Sequence, residues 1–114
     1  MYTTQMDAAR QHIITEEMKA VAAYEQMEEA EVCRLVAAGE LVIPANRHHT
    51  CRKSYGIGSM LKTKINVNLG TSRDCLDLNM EMEKVRHAVQ MGAEAIMDLS
   101  SFGDTKVFRR KLCQ

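Results

Sequence analysis

Lys64 to Gly70 and Met97 to Asp104 hold the residues of this chain best placed to do chemistry: each puts polar side chains at the end of an apolar extended run. In the first, Asn66 and Asn68 alternate with Ile65, Val67 and Leu69, the period-two signature of a strand, and a turn begins at Gly70. In the second, Ala95, Ile96 and Met97 form a short run, expected to be buried, that meets Asp98, Ser100 and Ser101 before Gly103. An asparagine amide offers two donors and an acceptor, which suits neutral recognition by hydrogen bonds. On residue type alone Met97 reads as a core residue of its strand. Asn66 is expected to point away from Asn68 and to make a structural hydrogen bond. Asp98 and Ser100 are expected to cap or cross-link strand ends, without a chemical role.

The elements that must position these residues follow from periodicity. Asn79 to Met91 reads as a helix with Met82, Val85 and Val89 on one side, and Gly92 stands where a C-terminal cap belongs. Strand, helix, strand is a crossover expected to be right-handed and to leave its two strands parallel. Functional loops follow the carboxyl ends of parallel strands, so Asn68 and Met97 both fall near a working edge. Upstream, Met1 to Gly39 reads as two or three small helices. Thr4 and Thr15 are the expected N-caps, and Ile14, Met18, Val21 and Ala22, then Val32, Leu35 and Val36, recur at helical spacing. Leu41 to Ile43 is a short extended run that Pro44 ends, and Asn46 to Gly58 is the longest irregular stretch. Met18, Met82 and Met91 lie on these helices, where methionine is expected to fill core space. The expected organisation is α/β: an N-terminal helical region with its loop over 1–62, and a strand-helix-strand portion over 63–114.

Composition narrows the function. The 15 Lys plus Arg balance 15 Asp plus Glu, so no global field draws nucleic acid or an anionic membrane. A helix-turn-helix over Thr15 to Gly39 is disfavoured for the same reason: six glutamates and one lysine lie between Glu16 and Glu31, and an acidic face cannot displace counterions from phosphates. No apolar run approaches the ~20 residues that span a bilayer, and the first 15 residues lack a signal-peptide pattern. A cytoplasmic protein acting on a small molecule is expected. Cys33, Cys51, Cys75 and Cys113 contain no CxxC and read as reduced thiols.

Two further constellations carry less. His48, His49 and Cys51 have ligand chemistry, with His12 or His87 as possible additions, but adjacent histidines rarely chelate one ion. A solvated loop is the expected reading, and no metal ligand is assigned. Gly70-Thr71-Ser72 follows a strand but matches neither common phosphate-binding glycine pattern, so it reads as a strand-to-loop turn.

The pairing of Asn66-Val67-Asn68-Leu69-Gly70 with Met97-Asp98-Leu99-Ser100, preceded by Ile43-Pro44-Ala45-Asn46 and the opening Tyr2 to Ala9, resembles the phosphomethylpyrimidine synthase family in order and spacing over essentially the whole chain. Gly56-Ile57-Gly58 resembles the family's Gly-Ile-Gly. Cys51 to Tyr55 departs from the acid-and-proline sequence common in relatives, and the glycine that shorter members often carry near Gln26 is missing.

The resemblance implies a fold, an N-terminal helical region followed by the first βαβ unit of a (β/α)8 barrel, which needs about 250 residues when complete. At 114 residues, the chain is expected to be the N-terminal portion of a longer enzyme. The implied activity is a radical S-adenosylmethionine rearrangement of 5-aminoimidazole ribonucleotide to hydroxymethylpyrimidine phosphate, in a homodimer. Asn68 and Met97 correspond to substrate-binding positions, 29 residues apart as in the family; no catalytic residue is assigned. The implied cofactors are a 4Fe-4S cluster on a CxxCxxxxC segment, S-adenosylmethionine, and a divalent metal such as zinc. Their ligands are expected to lie outside this chain. A relative that makes 5-hydroxybenzimidazole from the same ribonucleotide, and a non-catalytic assembly module, are the alternatives.

Overall fold

Threonine hydroxyls start the first two helices. Thr4 Oγ1 accepts the Asp7 amide at 3.1 Å and Thr15 Oγ1 accepts the Met18 amide at 3.2 Å, each satisfying an amide that the first helical turn leaves without a partner. In the computed structural model, which describes residues 1–46, 48–49 and 53–114, these caps open α1 (Gln5–Arg10) and α2 (Glu16–Glu25), followed by α3 (Glu29–Ala38). The described residues divide into two compact units, 1–46 with 53–63 and 48–49 with 64–114.

In the first unit the three helices close on one another through Met18, Val21, Val32 and Leu35, all fully buried. The apolar spacing expected for α2 and α3 is the buried stripe. Two of the glutamates on this acidic stretch have local partners: Glu16 pairs with Lys19 and Glu31 with Arg34. A third, Glu25, turns inward and accepts the Lys62 amide at 2.9 Å. β1 (Leu41–Val42) pairs antiparallel with β2 (Ile57–Gly58), in the register Leu41 opposite Gly58. β1 lies within the expected extended run of Leu41 to Ile43, and one expectation is corrected: the end of the Asn46 to Gly58 stretch, read as irregular, is a strand. A Cβ at Gly58 would fall on the Glu40 carbonyl oxygen, so the pairing requires glycine there.

The turn after α2 shows how the chain manages without a glycine. Gln26 itself adopts the left-handed conformation, φ 57 and ψ 46, and the Met27 amide closes back on the Ala22 carbonyl at 3.0 Å. A residue with a Cβ pays about 1 to 2 kcal/mol for that conformation, and the Gln26 side chain is exposed. Gln26→Gly is therefore expected to raise stability by about 0.5 to 1 kcal/mol, the strain relief being partly offset by the freer unfolded chain. Urea unfolding followed by helix circular dichroism reads it; a lowered midpoint would count against the strain argument.

The second unit runs β3 (Asn66–Leu69), α4 (Leu78–Gln90), β4 (Ala95–Asp98) and α5 (Thr105–Leu112). β3 and β4 pair in parallel, as expected for a strand-helix-strand unit. Asp77 caps α4, its Oδ1 accepting the Asn79 and Met80 amides at 3.0 Å each. At the other end Gly92, at φ 85, lets the Ala93 amide reach back to the Ala88 carbonyl at 3.0 Å, the paired closure that favours glycine. α5 has no counterpart among the sequence expectations. Its local signals are an aspartate N-cap, Asp104, whose Oδ1 accepts the Val107 amide at 3.1 Å, and Arg109, Arg110 and Lys111 in the last turn, where cations complement the helix dipole.

The core of this unit is Leu69, Val85 and Phe108, with Leu78, Met82, Ile96 and Leu112 packed against it. Four expected burials are corrected. Val89 is 61% exposed, because the buried stripe of α4 runs Leu78, Glu81, Val85, Ala88 and turns away from it. Met91 is 88% exposed, lying just past the last helical turn. Of Ala95, Ile96 and Met97, only Ile96 packs against the core. The helices cover one face of the sheet, and residues flanking Ile96 point to the other. Among the described residues each sheet has two strands, and no barrel closes.

Candidate functional site

The exposed face of the β3–β4 sheet is where the sequence-assigned residues meet. The parallel register sets Asn68 directly opposite Met97, and Asn66 opposite Ala95. All four are exposed. Val67 and Leu69, paired with Ile96 and Asp98, occupy the face under the helices. Met97 is 48% exposed and so is not the core residue that its type suggested.

Asn66 requires a correction. Residues two apart on a strand share a face, and Asn66 lies beside Asn68, its Nδ2 donating to Asn68 Oδ1 at 2.8 Å. The hydrogen bond expected of Asn66 exists, but its partner is the candidate site residue itself. Among the described residues Asn68 Nδ2 has no protein acceptor.

Beyond the strand ends, the two following loops are laced together. The Leu99 amide donates to the Leu69 carbonyl at 2.7 Å and the Ser101 amide to the Thr71 carbonyl at 2.9 Å. Buried Thr71 donates its hydroxyl to the Phe102 carbonyl at 2.6 Å, while its amide donates to Ser100 Oγ at 3.1 Å. Gly70-Thr71-Ser72 is thus a strand-to-loop turn held by hydrogen bonds to the second loop. Asp98 Oδ1 accepts both the amide and the hydroxyl of Ser100, and its Oδ2 accepts Arg109 Nε at 2.7 Å. Burial pushes the Asp98 carboxyl up, but the Ser100 hydrogen bonds and the Arg109 guanidinium together outweigh it and hold the group below its usual value of 3.8. An ionised acceptor makes the stronger hydrogen bonds here, so Asp98 and Ser100 cross-link the strand end as expected.

Three residues of this framework escaped the sequence reading. Glu81 is 1% exposed; its Oε2 accepts the Gly70 amide at 2.8 Å and its Oε1 pairs with Lys84 Nζ at 2.6 Å. Its signal was available, since a carboxylate three residues after Leu78 and four before Val85 lies on the buried stripe. Thr71 and Arg109 had no comparable signal, because their partners stand 31 and 11 residues away.

The His48, His49 and Cys51 run includes Cys51, which lies outside the described residues. Among the described residues no three His, Cys, Asp or Glu side chains are grouped to hold a metal ion. Cys33 is buried and donates to the Ala9 carbonyl at 3.6 Å, Cys75 is exposed, and Cys113 is partly buried. These thiols provide no cluster site. What the exposed face can do chemically is bind: an amide with free donors beside a flexible, polarizable thioether suits contact with a partly polar, partly planar ligand.

The chain belongs to the Radical SAM ThiC family, whose sequence profile matches residues 4–114. It is 59% identical over 111 residues to the phosphomethylpyrimidine synthase of Clostridium acetobutylicum, covering 97% of this chain and 26% of that protein. The enzyme of the same name from Clostridioides difficile is 56% identical over 113 residues, covering 99% and 26%, and that from Alkaliphilus oremlandii 59% over 111 residues, covering 97% and 25%. The chain spans about a quarter of the length of these relatives. No helix among the described residues is long and apolar enough to cross a membrane.

Proposed function

We propose that this chain is the N-terminal part of a phosphomethylpyrimidine synthase, an enzyme of thiamine biosynthesis that converts 5-aminoimidazole ribonucleotide to hydroxymethylpyrimidine phosphate. Its class would be a carbon-carbon lyase of the radical S-adenosylmethionine type, cytoplasmic and homodimeric. The observation that carries the reading is the register of Asn68 against Met97 on the one sheet face the helices leave open. In this reading β3–α4–β4 supplies the first two strands of a (β/α)8 barrel, and the open face turns toward its interior. Sequence organisation supports the division at 62/63 into a helical region and a barrel portion. The three relatives carry the pyrimidine synthase name, which favours that product over the benzimidazole alternative and an enzyme over an assembly module.

The described residues do not fit an iron-sulfur cluster or a zinc ion, so no step is routed through either. The 4Fe-4S cluster, S-adenosylmethionine and a divalent metal would be held by other parts of the complete enzyme, and the 114-residue chain alone would be inactive. What these residues contribute is position. Asn68 hydrogen-bonds the ribonucleotide, Met97 packs against it, and Glu81, Thr71 and Asp98 keep the strand ends rigid, since a site held loosely loses rate steeply.

The test is Asn68→Ala in a full-length chain carrying these residues. A ligand group left unpaired costs about 1 to 3 kcal/mol, a loss in ribonucleotide affinity of roughly tenfold to a hundredfold. Val67→Ala, on the helix-covered face of the same strand, should lower the melting temperature and leave affinity near normal. Equal binding losses in the two variants, or none in Asn68→Ala, would sink the assignment.

A further inference from the structure

We propose that Asn66 is a positioning residue that acts through Asn68, and that the ligand atom met by Asn68 is a hydrogen-bond acceptor; this rests on the proposed ribonucleotide site. An asparagine amide can present either end to a ligand, because rotation by half a turn about its last bond exchanges the carbonyl oxygen for the NH2 group at nearly equal shape. The structure holds Asn68 in one of these two arrangements. Its Oδ1 is taken by Asn66 Nδ2 at 2.8 Å, and the strand pleat holds the two side chains on one face. The end of Asn68 left without a protein partner is Nδ2.

A site residue with two free donors and an occupied acceptor selects a ligand oxygen or an unprotonated ring nitrogen and disfavours an amine or hydroxyl proton. On a ribonucleotide the matching groups are phosphate oxygens, ribose oxygens and the unsubstituted imidazole nitrogen. Asn66 need not touch the ligand. Its backbone stands opposite Ala95, one step of the face away from the Asn68 and Met97 pair. Its contribution is to spare the complex the ordering of the Asn68 amide at the moment of binding, which is the general gain from preorganisation.

The test is a double-mutant cycle on 5-aminoimidazole ribonucleotide affinity in the full-length chain, with thermal melting alongside. Asn66→Ala is expected to weaken binding about 2-fold to 10-fold, the share of one hydrogen bond. In the Asn68→Ala background the same substitution should change affinity less than about 1.5-fold, because the residue it orients is gone. A merely structural Asn66 would lower the melting temperature equally in both backgrounds and leave affinity unmoved, which would overturn the proposal. Asn68→Asp reads the polarity of the ligand atom, since the carboxylate accepts and cannot donate. Binding as weak as in Asn68→Ala, or weaker, is expected; affinity close to that of the unsubstituted chain would overturn the acceptor assignment. If Asn68→Ala binds normally, the site reading itself falls and this inference with it, whereas a loss in Asn68→Ala without one in Asn66→Ala rejects the inference alone.

Discussion

Replacing Phe108 by alanine is expected to cost the second unit about 3 to 5 kcal/mol, the usual range for emptying a buried phenylalanine site. Phe108 is 1% exposed and is the largest of the three side chains buried at the centre of that unit, the others being Leu69 and Val85. With so few buried residues, a void there has little neighbouring structure to collapse into it. The loss should propagate to function, because Leu69 ends the strand that carries Asn68 and Ile96 adjoins Met97 in β4. Amide hydrogen exchange at Leu69, Val85 and Ile96 in the 114-residue chain reads this directly, with protection expected to fall by about two to four orders of magnitude. Phe108→Leu, which keeps most of the volume, should retain most of the protection. Protection in Phe108→Ala within tenfold of the original would mean that α5 contributes little to this core.

Gly70→Ala is expected to be nearly as damaging for a different reason. A Cβ there would stand 2.5 Å from the Ser100 amide nitrogen and 2.7 Å from the Leu99 carbonyl carbon, and the residue holds φ 148. Both obstacles are backbone, so no side-chain rotation relieves the clash, and the two loops must separate. Separation breaks the Thr71 hydroxyl bond to Phe102 and strains the Gly70 amide bond to Glu81. Backbone strain of about 1 to 3 kcal/mol adds to an overpacking cost of about 1 to 3 kcal/mol, and a total of about 2 to 6 kcal/mol follows. Gly92→Ala is the internal comparison: φ is 85, but nothing lies within 4 Å of the added methyl, so only the conformational term of about 1 kcal/mol remains. Urea unfolding of both variants separates clash from conformation; equal losses would show that the seam between the loops can open without cost.

The course of the chain was largely legible in local signals. Thr4 and Thr15 declare their helices because a hydroxyl three residues ahead of an amide can cap it with no help from elsewhere. Met18, Val21, Val32 and Leu35 declare a buried face because helical spacing alone aligns them. The alternation through β3, the helix after it and Gly92 were readable for the same reason, as were the motifs that place the chain in its family. Asn66 could have been assigned correctly too, since the pleat alone puts it beside Asn68.

Tertiary structure decided everything that depends on which distant residues come together. Whether Met97 is core or surface turns on which face of β4 the helices cover, and no residue near Met97 encodes that. The antiparallel pairing of β1 with β2 joins short segments 16 residues apart, each too brief to reveal a partner by its own pattern. Asn68 faces Met97 because the parallel register sets them opposite, and register is a property of the pair of strands. Glu81, Thr71, Asp98 and Arg109 then hold the strand ends through contacts that span 11 to 31 residues. Capping and periodicity are local geometry and can be read along the chain, whereas hydrogen bonds between loops and the covering of a sheet face exist only once the elements have packed.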